Sequence, residues 1–242
     1  MIVIPMAGES KRFYDKGYKL PKYMLPIGKK TLFERCLFSF KRYFKTDTFI
    51  FILRNNIDNK IIKFIEQKII KIGILEYDIV ILENNTRGQA ETVFQGLKNI
   101  YTNEELIIFN IDTIRHNFTK PTYNEDIKGY IEVFEGSGDI WSFVKPGIDN
   151  KVLYTTEKVR VSNLCSTGLY QFRKKEYFLE TYNHFITLDK DKWDGGELYV
   201  APLYNFLINK GMTIKYNLIN SNLLDFSGTP EQYTHLLNKY IS

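Results

Sequence analysis

Four short apolar runs, separated by segments with helical spacing, constrain this chain more than any other feature. Residues 1–6 (MIVIPM), 49–54 (FIFILR), 78–82 (DIVIL) and 106–110 (LIIFN) are rich in β-branched or aromatic residues and too short for ordinary helices. Such runs read as strands buried on both faces of a parallel sheet. Between them, 31–44 and 59–72 repeat apolar residues every three or four positions, as in Ile61, Ile62, Ile65 and Ile69, and Gly88 to Ile100 does the same. Parallel neighbours need a crossover connection, and a helix supplies it. The expected fold is α/β, with a Rossmann-like, mostly parallel sheet.

After Asp112 the rhythm changes. KGYIEVFE, WSFVKP, KVLYTT and GLYQF are closer and less regular, with Gly136 and Gly138 marking a turn. They predict a lobe of mixed strands around the end of the parallel sheet. Helical stretches at about 174–184 and 197–210, a strand near 213–219 and a helix from Pro230 close the chain. We expect one domain over residues 1–242, with halves 1–112 and 113–242.

Composition narrows the function classes. With 242 residues, 44% hydrophobic and 25% charged, the chain has enough apolar material for a full core. No apolar run reaches membrane-spanning length and the first residues lack a basic, cleavable leader, so a cytoplasmic protein with no membrane partner is expected. The net charge of +5 is spread over helix faces, as at Lys60, Lys63, Lys68 and Lys71, which argues against a nucleic-acid partner. Cys36 shares a helical apolar face with Leu32, Phe33, Leu37 and Phe40 and reads as core. His116, His184 and His235 show no ligand spacing, so no zinc site is expected.

The most informative segment follows the first strand: Met6-Ala7-Gly8-Glu9-Ser10-Lys11-Arg12-Phe13, then Leu20-Pro21-Lys22. Ala7 and Gly8 let the backbone approach a bound group, so that the amides around Glu9 and Ser10 can hold a base or phosphates at the carboxyl end of the sheet. Arg12 and Lys22 add positive charge. Gly28-Lys29-Lys30-Thr31 is not a Walker loop, because Tyr23 stands where its first glycine belongs. Gly136-Ser137-Gly138 is not a dinucleotide loop, because Trp141 occupies the third glycine position.

The Ala-Gly-x-Ser-x-Arg form of this loop, continued by Pro21-Lys22, resembles the nucleotidyltransferase superfamily: sugar-phosphate pyrophosphorylases, molybdenum-cofactor guanylyltransferases and methylerythritol-phosphate cytidylyltransferases. The resemblance implies that Arg12 and Lys22 are catalytic, touching the triphosphate and stabilising the reacting α-phosphate. It implies an Mg²⁺ cofactor and two substrates, a nucleoside triphosphate and a phosphorylated small molecule. Arg87-Gly88-Gln89-Ala90 is similar to the family turn that recognises base and ribose; an ordinary helix start with Glu91 in its first turn is the other reading of this segment.

Asn110-Ile111-Asp112 ends a strand where open α/β sheets bind ligands, and the family carries a metal-binding aspartate there, usually as Gly-Asp. That role transfers to Asp112. Asp225-Phe226-Ser227-Gly228-Thr229-Pro230 resembles the family's Asp-x-Gly-Thr-Pro segment with one extra residue, which makes Asp225 the expected second metal ligand. In the second half, Glu157-Lys158 and the Gly168 strand resemble the acceptor-binding segments, with Lys158 for the acceptor phosphate and Glu157 for hydroxyls or amines. Gly195-Gly196-Glu197-Leu198 resembles a segment near the acceptor and adds Glu197. A sugar 1-phosphate acceptor, serving capsule or other surface polysaccharide, is the leading implication. A CTP-dependent enzyme acting on a phosphocholine- or phosphoglutamine-type acceptor and a metal-dependent glycosyltransferase of related fold are the alternatives.

Overall fold

The computed structural model describes residues 1–193 and 196–241; Gly195 of the acceptor segment lies outside the described residues. The first half runs β1 (Ile2–Met6), α1 (Lys11–Asp15), a short hairpin of β2 (Pro26–Ile27) and β3 (Lys30–Thr31), α2 (Leu32–Phe38), β4 (Thr48–Leu53), α3 (Asn59–Ile72), β5 (Glu76–Ile81), α4 (Gln89–Leu97) and β6 (Leu106–Phe109). The second half adds β7 (Thr113–Arg115), β8 (Ile127–Glu135), β9 (Ser142–Pro146), β10 (Val152–Glu157), β11 (Leu164–Phe172), α5 (Lys175–Phe185), α6 (Tyr204–Asn209), β12 (Thr213–Ile219), β13 (Leu224–Phe226) and α7 (Pro230–Ile241).

Nine of the described strands form one sheet in which β6, β1, β4 and β5 lie side by side and parallel. Alternation along β1 explains its unbroken hydrophobicity. Ile2, Ile4 and Met6 pack with Phe33, Leu37, Ile65 and Ile69 of α2 and α3, while Val3 packs with Val93 and Leu97 of α4 on the other face. Gly96 lets α4 press on the sheet, since a side chain there would strike Ile52 of β4. The mixed lobe grows from β11, which pairs antiparallel with β6, β8 and β9. No described helix is long and apolar enough to cross a membrane.

Three expectations are corrected in detail. Of residues 78–82, all but Leu82 belong to β5, the last strand of the parallel set, so Glu76, Asp78 and Ile81 are exposed and the run is not buried on both faces. The helix expected over 31–44 stops at Phe38: it starts with a capping box between Thr31 and Glu34 and gives way to a 3₁₀ turn at Lys41–Tyr43. The helix expected over 197–210 begins later, with a 3₁₀ turn at Ala201–Leu203 leading into α6. Leu198 instead pairs its backbone with the start of α4, its N–H donating to the Arg87 carbonyl at 3.1 Å and its carbonyl accepting from the Ala90 N–H at 2.8 Å. Gly88 permits this contact, because a Cβ there would stand 2.5 Å from the Leu198 oxygen.

Asp225 also departs from expectation. In β13 it sits between Leu224 and Phe226, and strand alternation turns neighbouring side chains to opposite faces. Phe226 occupies the place that the family's Asp-x-Gly-Thr-Pro spacing gives to the acid, and Asp225 is turned toward α7. Its carboxylate accepts from Lys239 Nζ at 2.6 Å and Tyr240 OH at 3.2 Å, and lies 2.7 Å from His116 Nε2. Where a second metal ligand is expected, the structure places a buried carboxylate that ties down the last helix, and it gives His116 a partner the sequence did not suggest.

A second buried pair supports the lobe. Glu132 of β8 is fully excluded from solvent, and both its oxygens accept from the Arg115 guanidinium, at 2.9 and 3.1 Å. Burial pushes the Glu132 carboxyl up, and Arg115 offsets this only in part. Thr167 of β11 donates to the same carboxylate at 3.3 Å, so β7, β8 and β11 meet there.

These pairs make two expected outcomes. Arg115→Met should lower the unfolding free energy by about 3 kcal/mol in urea titration, because it strands a buried carboxylate; adding Glu132→Leu should restore most of the loss. For Asp225, burial opposes ionisation, but hydrogen bonds from His116 and Lys239 outweigh it and hold the carboxyl down at about 2, against an ordinary 3.8. A depressed carboxyl contributes stability above its unfolded value and loses it as pH falls through the folded one. Asp225→Asn should therefore cost about 2 kcal/mol at neutral pH, with the gap to wild type closing between about pH 4 and pH 2.

Candidate functional site

The strand order itself locates the site. From β1 the chain moves outward through β4 to β5, then returns to place β6 on the other side of β1. Loops leaving the carboxyl ends of β1 and β6 diverge there, and the crevice between them is where open α/β sheets take ligands. A cleft of about 1140 Å³ opens at this point.

The loop after β1 contributes Ala7, Gly8, Glu9 and Ser10 to the cleft wall, and α1 contributes Arg12. Ser10 takes a left-handed conformation, with φ of 55°, and ends the loop. Its Oγ accepts from the Lys22 backbone N–H at 3.2 Å, which ties the loop to the Pro21-Lys22 segment. Pro21 is extended, with ψ of 143°, and delivers Lys22 at the start of a 3₁₀ turn.

Lys22 then reaches across 90 residues of sequence to Asp112, Nζ to Oδ2 at 2.6 Å, with about a fifth of each side chain exposed. Asp112 is fixed from behind: its carbonyl accepts from the Ser227 N–H at 2.8 Å, and a Cβ on Gly228 would lie 3.1 Å from its Oδ2. The structure thus brings the two loop motifs and the strand-end acid together. It does not bring Asp225 with them, and among the described residues no group of three or more His, Cys, Asp or Glu side chains could hold a metal unaided.

Gly88 and Gln89 face the same cleft from the start of α4, where Gln89 Nε2 donates to Asn110 Oδ1 at 2.5 Å. Arg87 is turned back onto Glu91, in an ion pair at 2.5 Å that keeps the Glu91 carboxyl low despite its burial.

On the lobe side the cleft is lined by Glu157, Lys158, Gly168 and Glu197. Glu157 is buried and accepts from the Ser142 hydroxyl, which lies 3.2 Å from the Tyr170 hydroxyl. Burial, with help from Glu157, pushes Tyr170 up to about 12, so its proton stays in place. Lys158 adopts φ of 57° and places Nζ on the Tyr199 hydroxyl at 2.5 Å. That bond, and to a smaller degree Glu157 and Glu197, holds its ammonium above the ordinary lysine range. Gly168 sits at a register break in β11 with φ of 86°, its backbone pressed against Asn110.

Several lining residues escaped the sequence reading. Arg54 stands at the end of a predicted strand, at the ligand-binding edge, and that position was signal enough to find it. Trp141, Tyr199 and Phe226 carried no such signal. Trp141 and Phe226 pack with ring centres 4.8 Å apart, as one aromatic wall of the cleft.

No family model matches the chain, and no curated protein matches it. Among solved structures, the nucleoside-diphosphate-sugar pyrophosphorylase from Vibrio cholerae is 46% identical, over 98% of this chain and 100% of that one, with a TM-score of 0.93. The inositol-1-phosphate CTP transferase from T. maritima is 13% identical over 99% of this chain and 95% of that one, with a TM-score of 0.72.

 

A UDP-glucose pyrophosphorylase complexed with UDP-glucose superposes at 16% identity over 99% of this chain and 97% of that one, with a TM-score of 0.75. The last two establish the fold alone. The identity to the Vibrio cholerae protein over nearly the whole of both chains establishes more: this chain belongs to the nucleotidyltransferase superfamily, in the family of that pyrophosphorylase, and is a nucleotidyltransferase.

Proposed function

We propose that the chain joins a nucleoside triphosphate to a sugar 1-phosphate, releasing pyrophosphate, and that its product serves capsule or other surface polysaccharide synthesis. The observation that carries the reading is the Lys22–Asp112 pair at 2.6 Å, which sets a cation and a strand-end carboxylate in the cleft beside the small-residue loop. The nucleotide-sugars in the names of the Vibrio cholerae and UDP-glucose enzymes support a sugar acceptor.

An oxygen of the acceptor phosphate attacks the α-phosphorus in line; the new O–P bond forms as the bond to the β-phosphate breaks, and pyrophosphate leaves with those electrons. A phosphate oxygen is ionised at neutral pH, so the site needs no general base. The loop amides at Ala7 to Ser10 hold the phosphates, while Arg12 and Lys22 stabilise the charge that accumulates. Gln89 reads the base. Lys158 takes the acceptor phosphate, and Glu157, Gly168 and Glu197 shape the space around the rest of the acceptor.

The donor set also fits Mg²⁺, which uses one or two carboxylates together with substrate phosphates and water. Asp112 is the carboxylate that would hold it, and Asp225 takes no part. When bound, magnesium offsets negative charge on the phosphates.

The decisive experiment pairs each of four triphosphates with phosphorylated acceptors and measures pyrophosphate release, with a nucleotide-sugar donor as control. Release with a sugar 1-phosphate supports the proposal. Release only with CTP and a non-sugar phosphate moves the acceptor to the phosphocholine or phosphoglutamine type, and consumption of a nucleotide-sugar without pyrophosphate overturns the assignment in favour of glycosyl transfer.

Variants test the roles. Lys22→Ala should lower the turnover number by about two to three powers of ten, with a smaller effect on triphosphate affinity, as for loss of one preorganised charge-stabilising group. Asp112→Asn should abolish most turnover with the circular dichroism spectrum unchanged, whereas Asp225→Asn should retain it at pH 7. Lys158→Ala should raise KM for the acceptor far more than KM for the triphosphate; equal losses would show that Lys158 is misplaced.

A further inference from the structure

Asn110 is assigned no role by the proposed chemistry, yet it touches both halves of the cleft. Its side chain accepts a hydrogen bond from Gln89 Nε2, Oδ1 to Nε2 at 2.5 Å. On its other flank, the same amide group packs on Gly168 so closely that a Cβ there would stand 2.5 Å from Asn110 Nδ2 and 2.7 Å from its Cγ. The backbone reinforces this contact, with the Asn110 N–H donating to the Gly168 carbonyl at 3.1 Å. Gly168 and the register break in β11 therefore hold the Asn110 side chain against the lobe, with Oδ1 toward Gln89 and Nδ2 toward Gly168.

We infer that Asn110 is a positioning residue that sets the orientation of the Gln89 amide and so determines which base edge the cleft accepts. The inference rests on the proposed nucleotide site and on Gln89 facing the base. An amide presents two different ends, a carbonyl acceptor and an N–H₂ donor. The bond to Asn110 commits the N–H₂ end of Gln89 to the protein, which leaves its carbonyl end as the group that meets an N–H on the base. With Asn110 unable to accept, the Gln89 amide can present either end, and discrimination between bases that differ in donor and acceptor order along the same edge is lost. Because Asn110 is wedged by Gly168, the acceptor side of the cleft helps to set nucleotide choice.

The test measures kcat/KM for CTP, UTP, TTP and GTP at saturating acceptor in wild type, Asn110→Leu, Asn110→Asp, Gln89→Leu and the Asn110→Leu/Gln89→Leu pair. Asn110→Leu keeps the volume without the acceptor oxygen; it should narrow the preference between the best and second-best triphosphates by about two- to tenfold, the worth of one hydrogen bond, while KM for the phosphorylated acceptor stays near wild type. Asn110→Asp keeps an oxygen for Gln89 and should retain the base order even where its added charge lowers kcat. The double variant should be no worse in base preference than Gln89→Leu alone, because both act on one contact. Isothermal titration with the same triphosphates reads base preference without turnover, so failure of the transferase reading and failure of this inference are separable. If Asn110→Leu does not fold, Gly168→Ala displaces Asn110 by its added methyl group and should narrow the same preference. An unchanged base order in Asn110→Leu, equal losses in the Leu and Asp variants, or full additivity with Gln89→Leu would overturn the inference.

Discussion

The position of β1 between β4 and β6 is the constraint on which the rest of the structure depends. Parallel strands can only be joined by crossovers, and a chain that fills one side of β1 before the other must open a crevice at their carboxyl ends. The small-residue loop after β1 and the acid after β6 then face each other across that crevice without any special device. What the sequence adds is Lys22, delivered by Pro21 and tied to the loop through Ser10.

The second half of the chain shapes the other wall by antiparallel extension from β11. Its accuracy comes from polar groups inside the lobe: the Arg115–Glu132 pair and Thr167 hold β7, β8 and β11 together immediately beside Gly168. Replacing such a pair by apolar residues need not destabilise a protein, so its retention is better understood as fixing one arrangement among several of similar stability. The aromatic wall of Trp141 and Phe226 and the Glu157–Ser142–Tyr170 chain of hydrogen bonds are built on the same lobe.

Much of this was legible in the sequence. The parallel strands, their crossover helices and the change of rhythm after Asp112 follow from periodicity, because burial on two faces leaves a visible run. Arg12, Lys22 and Asp112 were singled out through the resemblance of their segments to nucleotidyltransferase motifs, and the structure places all three along one cleft. The failures have a common physical cause: they are set by contacts between distant segments. β5 has the composition of a central strand, but only the sheet order makes it an edge. Residues 197–200 are spaced for a helix, and the backbone bond of Leu198 to the start of α4 overrides that preference. Asp225 has the right neighbours in sequence, but a single additional residue turns it to the other face of β13, where Lys239 and Tyr240 of α7 capture it.

The Lys22–Asp112 contact gives the cleft a property that a list of charged residues conceals. Within the fold the cation already has its counterion, in a cleft that leaves about a fifth of each side chain exposed. On the proposed reading, triphosphate binding is an exchange of partners: Lys22 gives up a carboxylate to gain a phosphate, and Asp112 is freed at the same moment. The affinity gained through Lys22 is the difference between two ion pairs rather than the strength of one. On the same reading the fold holds the Lys22 charge neutralised, and an arriving nucleotide itself uncovers both halves of the pair.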